Sequence, residues 1–126
     1  MHRSKLAGFI IDCDTDDLEA AADFWSAALG YPRKPDKHPE EVNYERLDTG
    51  PDGLHIEVQR VSHASRVHLD IEADDIEAEV ARLEDLGAKR LEKIRTWVVM
   101  EAPTGQRFCV VRVQSPGFDD TANDWD

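Results

Sequence analysis

The sequence predicts an α+β fold built from two copies of one strand–helix–three-strand module, and three observations predict it. The first is the stretch His68 to Gly87. There Leu69 and Ile71 alternate with His68, Asp70 and Glu72, after which Ile76, Val80, Leu83 and Leu86 recur at three- and four-residue steps. A period of two marks a strand with one apolar face, and a period near 3.6 marks a helix with one apolar stripe. The second is an earlier copy: Asp12, Asp16, Asp17, Glu19 and Ala20 return in the same order and spacing as Asp70, Asp74, Asp75, Glu77 and Ala78. The third lies at the module ends, where Pro51, Gly53, Val58, Arg60 and Val61 return as Pro103, Gly105, Val110, Arg112 and Val113. Ordered matches at both ends of a unit define an internal repeat.

The elements follow in order. Leu6 to Cys13 reads as the first strand, with Phe9, Ile11 and Cys13 on one face and Ile10 and Asp12 on the other. Leu18, Ala22, Trp25 and Leu29 form the stripe of the first helix, which Gly30 and Pro32 end. Arg33 to Glu41 holds two prolines and many charges, so it is at most a short edge strand with a loop. Val42 to Leu47 is a short strand, Thr49 to Gly53 a turn, and Leu54 to Val61 a strand. In the second copy Asp74 or Asp75 caps the helix, where free amides and the dipole favour an oxygen, and Gly87 stops it. Ala88 to Glu92 and Thr96 to Met100 are middle strands. The last strand alternates Phe108 and Val110 with Arg107, Cys109 and Val111. Modules at 6–61 and 66–113 then make a single domain over 1–114. Residues 115–126 form an acidic tail, expected to be weakly held, with Phe118 and Trp125 as docking points.

Composition narrows the function classes. A chain of 126 residues with 40% hydrophobic content is long enough for one domain with an ordinary core. The net charge of −12 argues against nucleic acid and against an anionic membrane surface, since both require a basic patch. No apolar run approaches the ~20 residues of a membrane span, and no signal-peptide pattern opens the chain. Cys13 and Cys109 stand apart in the sequence, a usage that fits reduced thiols and a cytoplasmic protein.

The alternation also sorts the strands into two faces. Ile11, Ile56, Val58, Leu69, Ile71, Phe108 and Val110 fall on the helix side, while Asp12, His55, Glu57, His68, Asp70, Arg107 and Cys109 fall opposite. A single polar residue at such a position is ordinarily solvated. Two sheets curling around their polar faces would instead make the whole set a ligand-binding cleft. In that set the acids Asp12, Glu57 and Asp70 outnumber Arg107, which favours a cationic ligand.

Three segments carry a family resemblance: FWSAALGY at Phe24 to Tyr31, HLDIEADDIEAEVARLEDLGA at His68 to Ala88, and WVVMEAPTGQRFCVV at Trp97 to Val111. With the paired modules, they make the chain similar to the vicinal oxygen chelate superfamily, which includes glyoxalase I, bleomycin-resistance proteins and extradiol dioxygenases. The resemblance implies a glyoxalase/bleomycin-resistance/dioxygenase-like fold, two βαβββ modules forming an open, cleft-bearing barrel. It also implies a small-molecule ligand, and a homodimer that covers the exposed sheet edges. Metal enzymes of the family place ligands at positions that correspond here to Ile10, Glu57, His68 and Cys109. His68 and Glu57 match the pattern. Ile10 cannot ligate, and Cys109 stands where a glutamate usually sits, so no cofactor is expected. If a divalent metal (zinc, nickel, manganese or iron) does bind, its ligands are His68 and Glu57, with His55 or Cys109 as a further donor. The expected function is therefore binding of a small polar molecule, as in bleomycin-resistance proteins, without a complete metal site. The alternative is a glyoxalase-type, metal-dependent lyase or isomerase with an altered ligand set. In that enzyme Glu57 and His68 are the catalytic pair, a carboxylate moving the proton and His68 or Arg107 holding the oxyanion.

Overall fold

The computed structural model of the chain describes residues 1–35, 39 and 41–126. Its elements run β1 (His2–Asp14), α1 (Leu18–Leu29), β2 (Tyr44–Leu47), β3 (His55–Val61), β4 (Arg66–Ala73), α2 (Ile76–Asp85), β5 (Lys89–Ile94), β6 (Trp97–Glu101), β7 (Arg107–Arg112), α3 (Phe118–Thr121) and β8 (Asn123–Trp125). This is the expected α+β repeat. In the first copy the described part of the extra strand shows a bridge between Arg33 and Leu47. The rest of the edge strand expected over 33–41 lies partly outside the described residues. The chain divides into two compact units, Phe9–Val67 and Met1–Gly8 with His68–Asp126. No described helix is long and apolar enough to cross a membrane.

In the unit Phe9–Val67 the strand order is β2-β3-β1. β2 and β3 are antiparallel, with Leu47 opposite Ile56 and Arg46 opposite Glu57. That register puts Leu47 and Ile56 on one face, where they join Ile11 beneath α1, with Phe9, Cys13 and Trp25 packed against them. Helix α1 forms because its sequence is alanine-rich and closed at both ends. The Asp17 side chain accepts from the Ala20 N–H, and Gly30 takes a left-handed φ of 78° that a side chain would strain.

In the other unit β4 runs parallel to β7, while β6 pairs antiparallel with both β7 and β5. One face of this sheet buries Val98, Met100, Phe108 and Val110 against Val80 and Leu83 of α2. Asp75, not Asp74, caps that helix, accepting from the Ala78 N–H. Helix α2 lies over β5, β6 and β7. This explains a departure: Leu69 on β4 faces the helix side by alternation, yet it is 49% exposed because the helix covers its neighbours. One core was expected, and two hydrophobic clusters are observed among the described residues, one under α1 and one under α2.

The chain ends depart further from expectation. β1 begins at His2, not Leu6, because its first residues pair with β8. The tail expected to be weakly held is bound along its length, with Phe118 only 4% exposed.

Candidate functional site

The polar strand face that alternation predicts is mostly buried. In the unit containing β4, the side chains of His68 and Asp70 are 13% and 8% exposed, and Cys109 is 8% exposed. Ladder register assembles them. Asp70 stands opposite Cys109 across the β4–β7 pair, and Cys109 stands opposite Val99 across β7–β6. His68 precedes Asp70 by two residues and so shares its face. An imidazole nitrogen, a carboxylate oxygen and the thiol sulfur therefore converge, all within 4.8 Å of one another. His68 Nε2 lies 3.7 Å from Asp70 Oδ1, longer than a hydrogen bond. His68, Asp70 and Cys109 each have a further interaction within the protein. Arg107, two residues before Cys109, is at the open rim of this face. It is 40% exposed and 3.8 Å from Glu101, its ladder partner.

The unit Phe9–Val67 holds the remaining predicted residues. His55 Nε2 lies 3.0 Å from Glu57 Oε1, with the two side chains 21% and 17% exposed. The contact is close but poorly aligned, so that nitrogen makes no hydrogen bond. Asp12 is 2% exposed and lies 3.7 Å from Arg66. Ile10, at the first family ligand position, is 3% exposed and purely apolar. His55 and His68 thus each have a carboxylate on their own strand.

Two groups were not anticipated from the sequence. Glu72 continues the His68–Asp70 face yet is fully buried, accepting bonds from residues 114 and 115. Arg66 reaches Asp12 from the start of β4. The period-two pattern places Glu72 on the polar face, but nothing local in the sequence shows which donors meet it. Cys13 belongs to the apolar side. Burial raises its thiol pKa, a bond involving Trp25 works against that, and the Asp12 charge adds to the rise.

As for metal chemistry, a hard ion with about six oxygen ligands does not fit a set of one imidazole, one carboxylate and one thiol. The donor types do fit zinc. Tetrahedral bonds of about 2.0–2.3 Å place donors about 3.3–3.7 Å apart, comparable with the His68–Asp70 separation.

A family profile described as a glyoxalase-like domain matches residues 9–111. Among solved structures, a methylmalonyl-CoA epimerase in complex with methylmalonyl-CoA and NH4+ is 18% identical, with a TM-score of 0.57, and the match covers 90% of this chain and 99% of that one. The methylmalonyl-CoA epimerase of Mycobacterium tuberculosis is 14% identical, with a TM-score of 0.62 and coverage of 92% and 91%. A structure named as an NAD-dependent benzaldehyde dehydrogenase from Legionella pneumophila is 8% identical, with a TM-score of 0.60 and coverage of 84% and 99%. Identities at this level carry the fold and not the activity, as the different activities in these names illustrate. No curated protein matches the chain.

Proposed function

The chain belongs to the glyoxalase-like domain family, within the vicinal oxygen chelate superfamily, and on that premise we propose that it binds a small polar molecule at the group formed by His68, Asp70 and Cys109. The observation that carries this reading is the convergence of those three side chains within 4.8 Å on one sheet face. A polar face left to solvent would not bury an ionisable pair, because burial is costly unless the groups are partnered. His68 and Asp70 supply a donor and an acceptor side by side, and Arg107 adds a positive charge at the rim. Val99 and Val111, on the same face, give the ligand's apolar part a surface. The group is read as metal-free because Ile10, at one of the family's ligand positions, offers no donor, and a buried cysteine such as Cys109 ordinarily behaves as a small apolar side chain.

The test is a two-dimensional NMR screen of untagged protein against small amines, carboxylic acids and amides. The expected result is a saturable shift of the His68, Asp70 and Cys109 amides with one of these classes. If none of them moves those amides at millimolar concentration, the reading is wrong.

A second reading is a zinc-dependent lyase or isomerase. The spacing of His68, Asp70 and Cys109 favours it, and the similar folds include epimerases. In that case His68, Asp70 and a Cys109 thiolate would hold the ion, which polarises a substrate carbonyl. The His55–Glu57 pair is the other candidate group, in its own unit.

We also infer a homodimer. The sheet edges do not drive it: β2 spans four residues, and β5 is charged and carries a register shift between Arg90 and Glu92. Both features discourage edge pairing. Support comes instead from exposed apolar side chains, Leu6 at 42%, Leu69 at 49% and Phe24 at 61%. Light scattering at micromolar concentration should give about twice the chain mass. A value near 14.3 kDa would contradict the inference.

A further inference from the structure

We propose that residues 114–126 form a strap that holds β4 and its polar face in place, with Glu72 as the positioning residue through which it acts; this rests on His68, Asp70 and Cys109 being the binding group. Glu72 lies on β4 two residues beyond Asp70, on the same face, so its Cα is about 7 Å from that of Asp70. It is fully buried. Its carboxylate accepts from the Gln114 N–H at 3.2 Å, the Ser115 N–H at 3.0 Å and the Ser115 hydroxyl at 2.5 Å. A buried carboxylate is tolerated only while such donors remain. Lifting the strap therefore exposes Glu72 or leaves it uncompensated, and either outcome loosens the strand that carries His68 and Asp70.

The far end of the strap is anchored independently. β8 pairs with β1 in the register His2 to Trp125, Arg3 to Asp124 and Ser4 to Asn123. The Trp125 indole N–H donates to Ser4 Oγ at 2.8 Å, and the Arg82 guanidinium sits 3.8 Å from the Trp125 ring centroid. Between the ends, the buried Phe118 ring lies 5.7 Å from the Arg3 guanidinium, and the Lys5 ammonium donates to Thr121 at 2.7 Å. Terminal segments this polar are ordinarily frayed. This one is fixed at both ends, and one anchor falls on the candidate site's own strand.

The experiment needs no ligand, so its failure is distinguishable from failure of the binding reading. Iodoacetamide labelling of native protein, followed by mass spectrometry, compares Cys109 with Cys13, the free thiol of the other unit. Buried Cys109 reacts only when its surroundings open. Trp125→Ala cuts the distant anchor. It is expected to speed Cys109 labelling about tenfold, to leave Cys13 within about twofold, and to shift the His68 imidazole resonances well below the melting temperature. Glu72→Ala should do the same, and Glu72→Gln, which keeps an acceptor oxygen, should recover part of the loss. The proposal is overturned if the β8 amides lose exchange protection in Trp125→Ala while Cys109 labelling and the His68 resonances stay as in the parent. A parallel rise in Cys13 would mean general loosening and would overturn it equally. If β8 stays protected in Trp125→Ala, Glu72→Ala cuts the near anchor, and the same outcomes decide.

Discussion

Glu79→Ala is expected to destabilise the fold by about 3 kcal/mol, the range for leaving a buried charge network without its centre. Glu79 is on α2 and is fully buried. Its carboxylate accepts from Arg82 Nε at 2.9 Å and Arg82 Nη2 at 2.8 Å, while His2 Nε2 lies 2.7 Å away. Removing it leaves His2, itself 8% exposed, and the inner side of Arg82 without an acceptor. It also frees the guanidinium that stacks on Trp125. Urea unfolding of the variant and the parent measures the difference, and a loss below about 1 kcal/mol would mean that the network is incidental.

The same residue sets a pH dependence. Burial alone would raise the Glu79 pKa, but donors from Arg82, His2 and Ser4 outweigh it and hold the value below the usual carboxylate range. A folded-state pKa below the unfolded one contributes stability at pH values above the unfolded pKa, and that contribution is lost as pH falls through the folded value. The gap between the parent and Glu79→Gln should therefore be constant near neutrality and shrink below about pH 4. A gap that widens on acidification would reverse this assignment.

His68→Ala carries the largest expected functional effect. Hydrogen bonds involving charged groups contribute about 1.5–3 kcal/mol, so ligand affinity should fall about 10- to 100-fold. Binding isotherms for a ligand found by the NMR screen measure it. Arg107→Ala should cost less, since Arg107 is 40% exposed and its attraction for a ligand is screened. Equal losses at the two positions would move the centre of the site outward to the rim.

How much of this was legible in the sequence follows from the range of each interaction. The modules, an aspartate cap at position 74 or 75 and the Gly30 stop are set by neighbours within a turn or two, so periodicity and capping chemistry revealed them, while the choice of Asp75 and the Asp17 cap came from the structure. The two-residue alternation likewise placed His68, Asp70 and Cys109 on one face. What it could not show was burial: Leu69 sits on the apolar face but outside the cover of α2, and Glu72 sits on the polar face but beneath the tail. The clamp on Glu72 and the stacking of Trp125 on Arg82 join residues far apart in sequence. Neither end carries a local pattern that names the other. For the same reason the sequence reading began the first strand at Leu6, where the fold makes His2 to Ser4 strand partners of β8.

The most direct test of the metal-free site is elemental analysis of untagged protein purified without chelator, read together with the His68 imidazole resonances before and after micromolar zinc. The account predicts zinc, nickel, manganese and iron far below one atom per chain, and His68 signals that do not move. Stoichiometric metal, or a zinc response of His68 that disappears in both Asp70→Asn and Cys109→Ser, would contradict it and establish the group as a metal centre.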